Sequence, residues 1–194
     1  MWIQPASGSG NQEKLETPES FVTVNSWSPS GRYLFFISQN NATRQDIDYI
    51  DLNGDRRLTP FLQSPANEMG AVLSPNGKWL AYASDESGFE VYVTAFPAPG
   101  GKWQVSKGGG GSPFWSADGK QLYYTIGDKL MAVAIQNVET FEFGAPAALP
   151  IHLNEFATLG PAAPGERFPA LKTLSGGQVQ PQEVILNWTR TLKR

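Results

Sequence analysis

The sequence predicts an all-β protein, a β-propeller of four-stranded antiparallel blades. Three observations predict it: a high density of turn formers alongside aromatics, a recurring hairpin motif, and a spacing that fits four short strands with their connections. Twenty Gly and fifteen Pro stand among 194 residues, and Phe, Trp and Tyr make up 12%. Many turns plus many aromatics favour short strands over long helices.

The motif reads Trp27-Ser28-Pro29-Ser30-Gly31-Arg32, then Leu73-Ser74-Pro75-Asn76-Gly77-Lys78, then Trp115-Ser116-Ala117-Asp118-Gly119-Lys120. A degraded copy follows at Ala163-Pro164-Gly165-Glu166. The glycines at 31, 77, 119 and 165 recur every forty-odd residues, the length of one propeller blade. Pro pre-sets φ at the first corner, and Ser30, Asn76 and Asp118 are short enough to bond the local backbone. The glycine then takes the positive φ that closes the hairpin.

The second copy traces a whole blade. Gly70 to Leu73 is its inner strand and Trp79 to Ser84 its second. The alternation of Glu90 to Phe96 suggests a half-buried third strand, and Trp103 to Ser106 forms the outer one. The first copy repeats this with Tyr33 to Ser38, Ile47 to Leu52 and Arg57 to Thr59, the third with Leu122 to Ile126, Leu130 to Ile135 and Phe141 to Phe143. Residues 1–17 read as the second half of a preceding blade, because Trp2 to Gln4 and Lys14 to Glu16 flank a Gly/Ser turn. Residues 18–60, 61–106 and 107–150 read as blades, and 151–194 as a divergent terminal blade with strands at Phe168 to Lys172 and Glu183 to Trp188. About four blades make part of a six-bladed or larger ring, whose N-terminal blades are expected to be missing from this sequence.

Composition excludes several function classes. A net charge of -3 lacks the basic surface that nucleic acid demands. Without cysteine there are no disulfides, zinc ribbons or thiol chemistry. The longest apolar runs, such as Leu130 to Ile135, fall far short of the roughly 18 residues of a membrane helix, so no direct membrane insertion is expected.

With those residues laid out, the chain resembles the TolB-like, WD-repeat-like propellers of bacteria. It is most similar to the C-terminal propeller of bacterial serine/threonine protein kinases. The resemblance is carried by Ser74 to Tyr82, Ser84-Asp85-Glu86-Ser87-Gly88, Glu90 to Val93 and Phe96 to Ser106, with Val184 to Thr189 similar to the terminal strand. It implies an extracytoplasmic, periplasmic or cell-surface sensor module, although no kinase domain is present here. Ser30 departs from the usual Asp of the turn, and the fourth copy lacks the Ser-Pro start.

Candidate chemistry is sparse. His152 is the sole histidine, and no Gly-x-Ser-x-Gly elbow accompanies it, so a Ser/His/Asp triad is not expected and His152 reads as a loop or surface residue. Gly108 to Gly111 lacks the Lys-Ser/Thr ending of a phosphate loop and reads as a flexible connection between blades. Asp46 and Asp48 alternate in a strand pattern, read as a solvent face with too few ligands for calcium. Adjacent Asp85 and Glu86 suit solvated turn formers better than a glycosidase pair. Trp27, Trp79, Trp103 and Trp115 recur at matching places and read as packing between blades. No catalytic residue, metal or cofactor is expected.

In a propeller, the connections between blades share one rim with the loops joining second and third strands. Arg44, Asn67, Glu68, Asp85, Glu86 and Gly110 therefore surround the expected channel mouth, the default surface for a protein, peptide or envelope ligand. The expected function is a non-catalytic binding or scaffold module of a bacterial signalling protein. The alternatives are an accessory propeller gating a serine peptidase domain and a glycan-processing propeller enzyme.

Overall fold

A computed structural model describes residues 1–4, 7, 10–17 and 22–153, together with strands at 156–159 and 170–172. Gly165 and the expected strand at Glu183 to Trp188 lie outside the described residues. Among the described residues every element of regular structure of any length is a β-strand. A two-stranded hairpin, β1 (Trp2–Ile3) and β2 (Glu13–Lys14), precedes the first four-stranded sheet: β3 (Val22–Trp27), β4 (Tyr33–Asn40), β5 (Arg44–Asp51) and β6 (Leu58–Leu62). The second sheet comprises β7 (Glu68–Leu73), β8 (Trp79–Ser84), β9 (Glu90–Ala95) and β10 (Lys102–Gln104). The third comprises β11 (Gly111–Trp115), β12 (Gln121–Ile126), β13 (Lys129–Asn137) and β14 (Glu142–Phe143), and β15 (Ala147–His152) pairs along β13 as well. A second hairpin joins β16 (Phe156–Leu159) to β17 (Ala170–Lys172). In each of the three larger sheets the first four strands are antiparallel neighbours in chain order, running from inner to outer.

The repeated turn is built from the same three bonds each time. Gly31, Gly77 and Gly119 have φ of 73°, 74° and 71° and donate to the carbonyls of Ser28, Ser74 and Ser116 at 2.9, 2.9 and 3.0 Å. The serine hydroxyl accepts the N–H that opens the next strand: Tyr33 at 2.9, Trp79 at 3.0 and Gln121 at 2.9 Å. Asn76 and Asp118 in turn accept that hydroxyl at 2.7 Å, while Ser30 lies 3.2 Å from Ser28. Burial of Ser28, Ser74 and Ser116 is therefore fully compensated.

The sheets pack face to face. Phe35, Ile47 and Phe61 of the first meet Leu80, Tyr82, Tyr92 and Phe96 of the second. The opposite face of the second, with Trp79, Ala81, Val91 and Val93, meets Trp115, Leu122, Tyr124 and Val133 of the third. The leading face of the first sheet holds Leu34, Phe36 and Ile50 against Leu15 after the N-terminal hairpin. Because a middle sheet is covered on both sides, every residue of β8 and all but the last of β9 are buried. That corrects the half-buried third strand expected from its alternation.

Inner strands are coupled by irregularity. β3, β7 and β11 each carry a register shift at mid-strand, between Val24 and Ser26, Met69 and Val72, and Gly111 and Phe114. A bulge removes a carbonyl from its own ladder and aims it elsewhere. The Ala71 carbonyl accepts Asn25 Nδ2 and Ser26 Oγ of the preceding sheet, both at 2.5 Å, and the Val72 carbonyl accepts the Trp115 indole of the following one at 3.1 Å.

Trp79 and Trp115 are buried, and Trp103 packs edge-on against Trp79 at 5.4 Å. Trp27 departs from the packing expected of it: it is 52% exposed, because its indole N–H binds the Gly31 carbonyl of its own turn at 2.8 Å instead of the next sheet. His152 ends a strand opposite Lys129 and does not sit in a loop.

Candidate functional site

The rim on the β4–β5, β8–β9 and β12–β13 turns gathers most of the charged residues expected there. Asp85, at the end of β8, is its centre. Its Oδ1 accepts the Asn67 backbone N–H at 2.7 Å, its Oδ2 accepts Asn67 Nδ2 at 2.6 Å, and its own N–H donates to the Asn67 carbonyl at 3.3 Å. Arg44 reaches across from the first sheet, placing Nη1 3.5 Å from Asp85 Oδ2. Asn67's backbone and side-chain donors, reinforced by Arg44, hold the Asp85 carboxyl below the usual carboxylate range. Arg44 occupies the left-handed region at φ 79°, a conformation that disfavours side chains with a Cβ. The turn that imposes it fixes where the guanidinium begins.

Glu86, the next residue, turns to a different partner. It pairs with Lys102, whose ammonium also sits 4.5 Å from the centroid of the Tyr92 ring. Tyr92 is held by Ser87 through a 2.7 Å hydroxyl contact. Asp85 and Glu86 are thus committed to separate partners rather than converging on one point. Beyond them, Phe89 is 47% exposed at the end of the same loop.

Glu68 and Gly110 lie beneath this rim. Glu68 is 3% exposed and accepts the Ser64 hydroxyl on Oε1. Gly110 is buried, with no room for a larger residue: an added Cβ would lie 2.5 Å from Ser106 Oγ. Neither displays a side chain on the surface where Arg44, Asn67, Asp85 and Glu86 stand.

The glycine run differs from a flexible connection. Gly108 and Gly109 donate their N–H groups to Glu90 Oε1 at 2.8 and 3.0 Å, and Ser106 Oγ donates to Glu90 Oε2. Successive backbone N–H groups form an anion-binding concavity, here filled by the chain's own carboxylate. Asp46 faces Ser38 as Glu90 faces Ser84, so the two acids occupy matching places. In the first sheet, however, the connection contains Pro65, which has no N–H to offer. Asp46 accepts Thr43 Oγ1 at 2.6 Å and leaves Oδ1 without a partner.

Asp46 and Asp48 do not form a solvent face. They are 0% and 5% exposed, because the leading face of the first sheet is itself covered. Burial pushes the Asp48 carboxyl above its ordinary range, against the hydrogen bond from Ser38. Among the described residues no group of three or more acidic or histidine side chains is placed to hold a metal.

Toward the opposite end of the inner strands lies an open groove of about 690 Å³, with Trp27, Val72, Pro75, Pro113 and Phe114 on its walls.

No family model and no curated protein match the chain. Solved structures do. The putative TolB from Agrobacterium tumefaciens superposes with a TM-score of 0.57 at 15% identity, over 74% of this chain and 54% of that one. TolB from Acinetobacter baumannii gives 0.55 at 20%, over 87% and 44%. The Myceliophteria thermophila Cps50 (Swd1) β-propeller domain gives 0.55 at 18%, over 91% and 59%. The sheets are propeller blades. The chain spans about half the length of the TolB structures it matches. Three complete blades stand among the described residues, which fits a fragment of a larger ring, since propellers close with four to eight.

Sequence reasoning missed Phe89, Glu90 and Lys102. Beside the acids of the loop, an apolar Phe89 would ordinarily be assigned to the interior and Glu90 to solvent. The glycine N–H groups downstream reverse that assignment.

Proposed function

We propose that this propeller segment is a non-catalytic binding module whose rim, from Arg44 through Asp85 to Phe89, receives a protein or peptide partner. The observation that carries the reading is Phe89, a large aromatic held 47% exposed beside charged groups already fixed by hydrogen bonds. Aromatic anchors supply most of the energy of protein recognition, and a preformed polar surround reduces the ordering that binding requires. Asp85 bonded to Asn67 on three sides has little freedom left to lose.

The finer reading comes from the sequence resemblance: the extracytoplasmic sensing part of a bacterial signalling protein, working without a cofactor. Replacing Phe89 by photoreactive benzoyl-phenylalanine in the producing cell tests the rim. The control position is Arg32, in the turn at the opposite end of the strands. Adducts from position 89 alone, diminished by Asp85→Ala, support the reading. Equal adducts from both positions, or none from 89, overturn it.

A further inference from the structure

Beside the rim, a second concavity opens between the first and second blades. It is a groove of about 550 Å³ lined by Phe61, Leu62, Ser64, Glu68, Tyr82 and Thr94, with Lys102 at its edge. Several of its polar groups are engaged. Ser64 Oγ donates to Glu68 Oε1 and accepts the Ala66 N–H at 3.1 Å, and Thr94 Oγ1 donates to the Gly101 carbonyl at 2.9 Å. Lys102 is drawn to Glu86 and the face of Tyr92. Glu68 Oε2 remains: a carboxylate oxygen on a 3% exposed residue, with no hydrogen-bond partner.

A buried carboxylate oxygen without a donor is costly, and the cost is relieved when a donor arrives. The arrangement selects the donor's chemistry. Phe61, Leu62 and the ring of Tyr82 offer apolar surface to an aliphatic stem, while burial, with Asp46 nearby, raises the Glu68 carboxyl above its ordinary range, a cost that an added cation relieves. Apolar surface beside an unpaired carboxylate oxygen matches a side chain that is hydrocarbon along its length and cationic at its tip.

We propose that this groove takes a basic side chain of the partner, lysine or arginine, whose charged nitrogen donates to Glu68 Oε2. The inference rests on the rim receiving a protein partner, and adds the chemistry of one contact. Lys102 acts on Glu68 by charge at a distance, its ammonium being bonded to Glu86 and set over the Tyr92 ring, so the hydrogen bond to Oε2 stays open.

The test uses the full chain and capped alanine-based peptides carrying one lysine, arginine, acetyl-lysine or norleucine. Amide chemical shifts report where each peptide sits. Lysine and arginine peptides are expected to move the signals of Ser64, Glu68 and Thr94, whereas acetyl-lysine and norleucine peptides leave them in place. Glu68→Gln is expected to weaken binding by more than about tenfold, as for removal of one member of a desolvated charge pair. Arg32→Ala, in the turn between β3 and β4 at the opposite end of the strands, is expected to leave it unchanged. Equal binding of the norleucine peptide, an unaltered Glu68→Gln titration, or shifts confined to Asp85 through Phe89 would overturn the proposal. The peptide-side controls need no altered protein, so a folding defect cannot mask the answer. Adducts at Phe89 without groove shifts would remove this inference and keep the rim. Groove binding without such adducts would remove the partner reading instead.

Discussion

Replacing Gly110 by alanine isolates the packing between adjacent blades. Gly110 lies outside the left-handed region, so an added methyl meets no backbone penalty. It meets neighbours instead: Ser106 Oγ at 2.5 Å, Ser106 Cβ at 2.7 Å and Val91 Cγ2 at 3.2 Å. Ser106 is fully buried, and its hydroxyl accepts the Val91 N–H at 2.7 Å while donating to Glu90. Relief of the clash turns that hydroxyl away and strands two buried groups. Overpacking costs about 1–3 kcal/mol, and a lost hydrogen bond to a charged group about 1.5–3 kcal/mol. Because one rearrangement produces both losses, about 3 kcal/mol is the working figure. For a chain of this size that lowers Tm by about 6–12 °C. Gly77→Ala is the matched control. Gly77 has φ +74° with nothing within 4 Å of an added Cβ, so it incurs the conformational term alone, roughly 1–2 kcal/mol, with a correspondingly smaller fall in Tm. Calorimetric melts of both variants decide the matter. A Gly110→Ala Tm within 2 °C of the parent, or above that of Gly77→Ala, would refute the packing argument.

Ser74→Ala removes the hydroxyl shared by the Trp79 N–H and Asn76, and is expected to cost about 1–2 kcal/mol, read as a lower urea midpoint. The Asp48 carboxyl is raised by burial, so its contribution to stability is fully present below the unfolded carboxylate range and lost as pH rises through its folded value. Asp48→Asn should therefore unfold at higher urea than the parent near pH 7.5, with the gap closing toward pH 4; a gap independent of pH would refute this. Asp85 has the opposite sign, its carboxyl being lowered by Asn67, so its contribution holds above the ordinary carboxylate range and fades as pH falls through the lowered folded value. Asp85→Ala should accelerate hydrogen exchange at the Asn67 amide at neutral pH, and the difference should shrink in acid. Unchanged protection of that amide would show that Asp85 does not hold the connection.

What the sequence disclosed was local. Ser-Pro-Asn-Gly at residues 74–77 determines its own turn within four positions, and β8 runs over the very residues its pattern suggests, Trp79–Ser84. Where distant chain decides the outcome, the pattern misled. Asp46 and Asp48 alternate as a wetted face should, yet another layer covers them. Phe89 and Glu90 exchange their usual places because the amides that receive Glu90 lie eighteen and nineteen residues onward. β15 joins the edge of β13 through a pairing that no short window could reveal. At the rim, topology brings Arg44, Asn67 and Asp85 into contact, since the loops carrying them alternate around one end of the blades. The burial of Glu68 and the crowding at Gly110 depend on side-chain volumes from a neighbouring strand, which order along the chain does not convey.

The carboxylate of Glu90 acts as a tethered plug. Any phosphate or sulfate in the surroundings must displace a competitor that never diffuses away, so the amides of Gly108 and Gly109 stay closed to solution anions. Shortening that side chain would leave both amides without their acceptor.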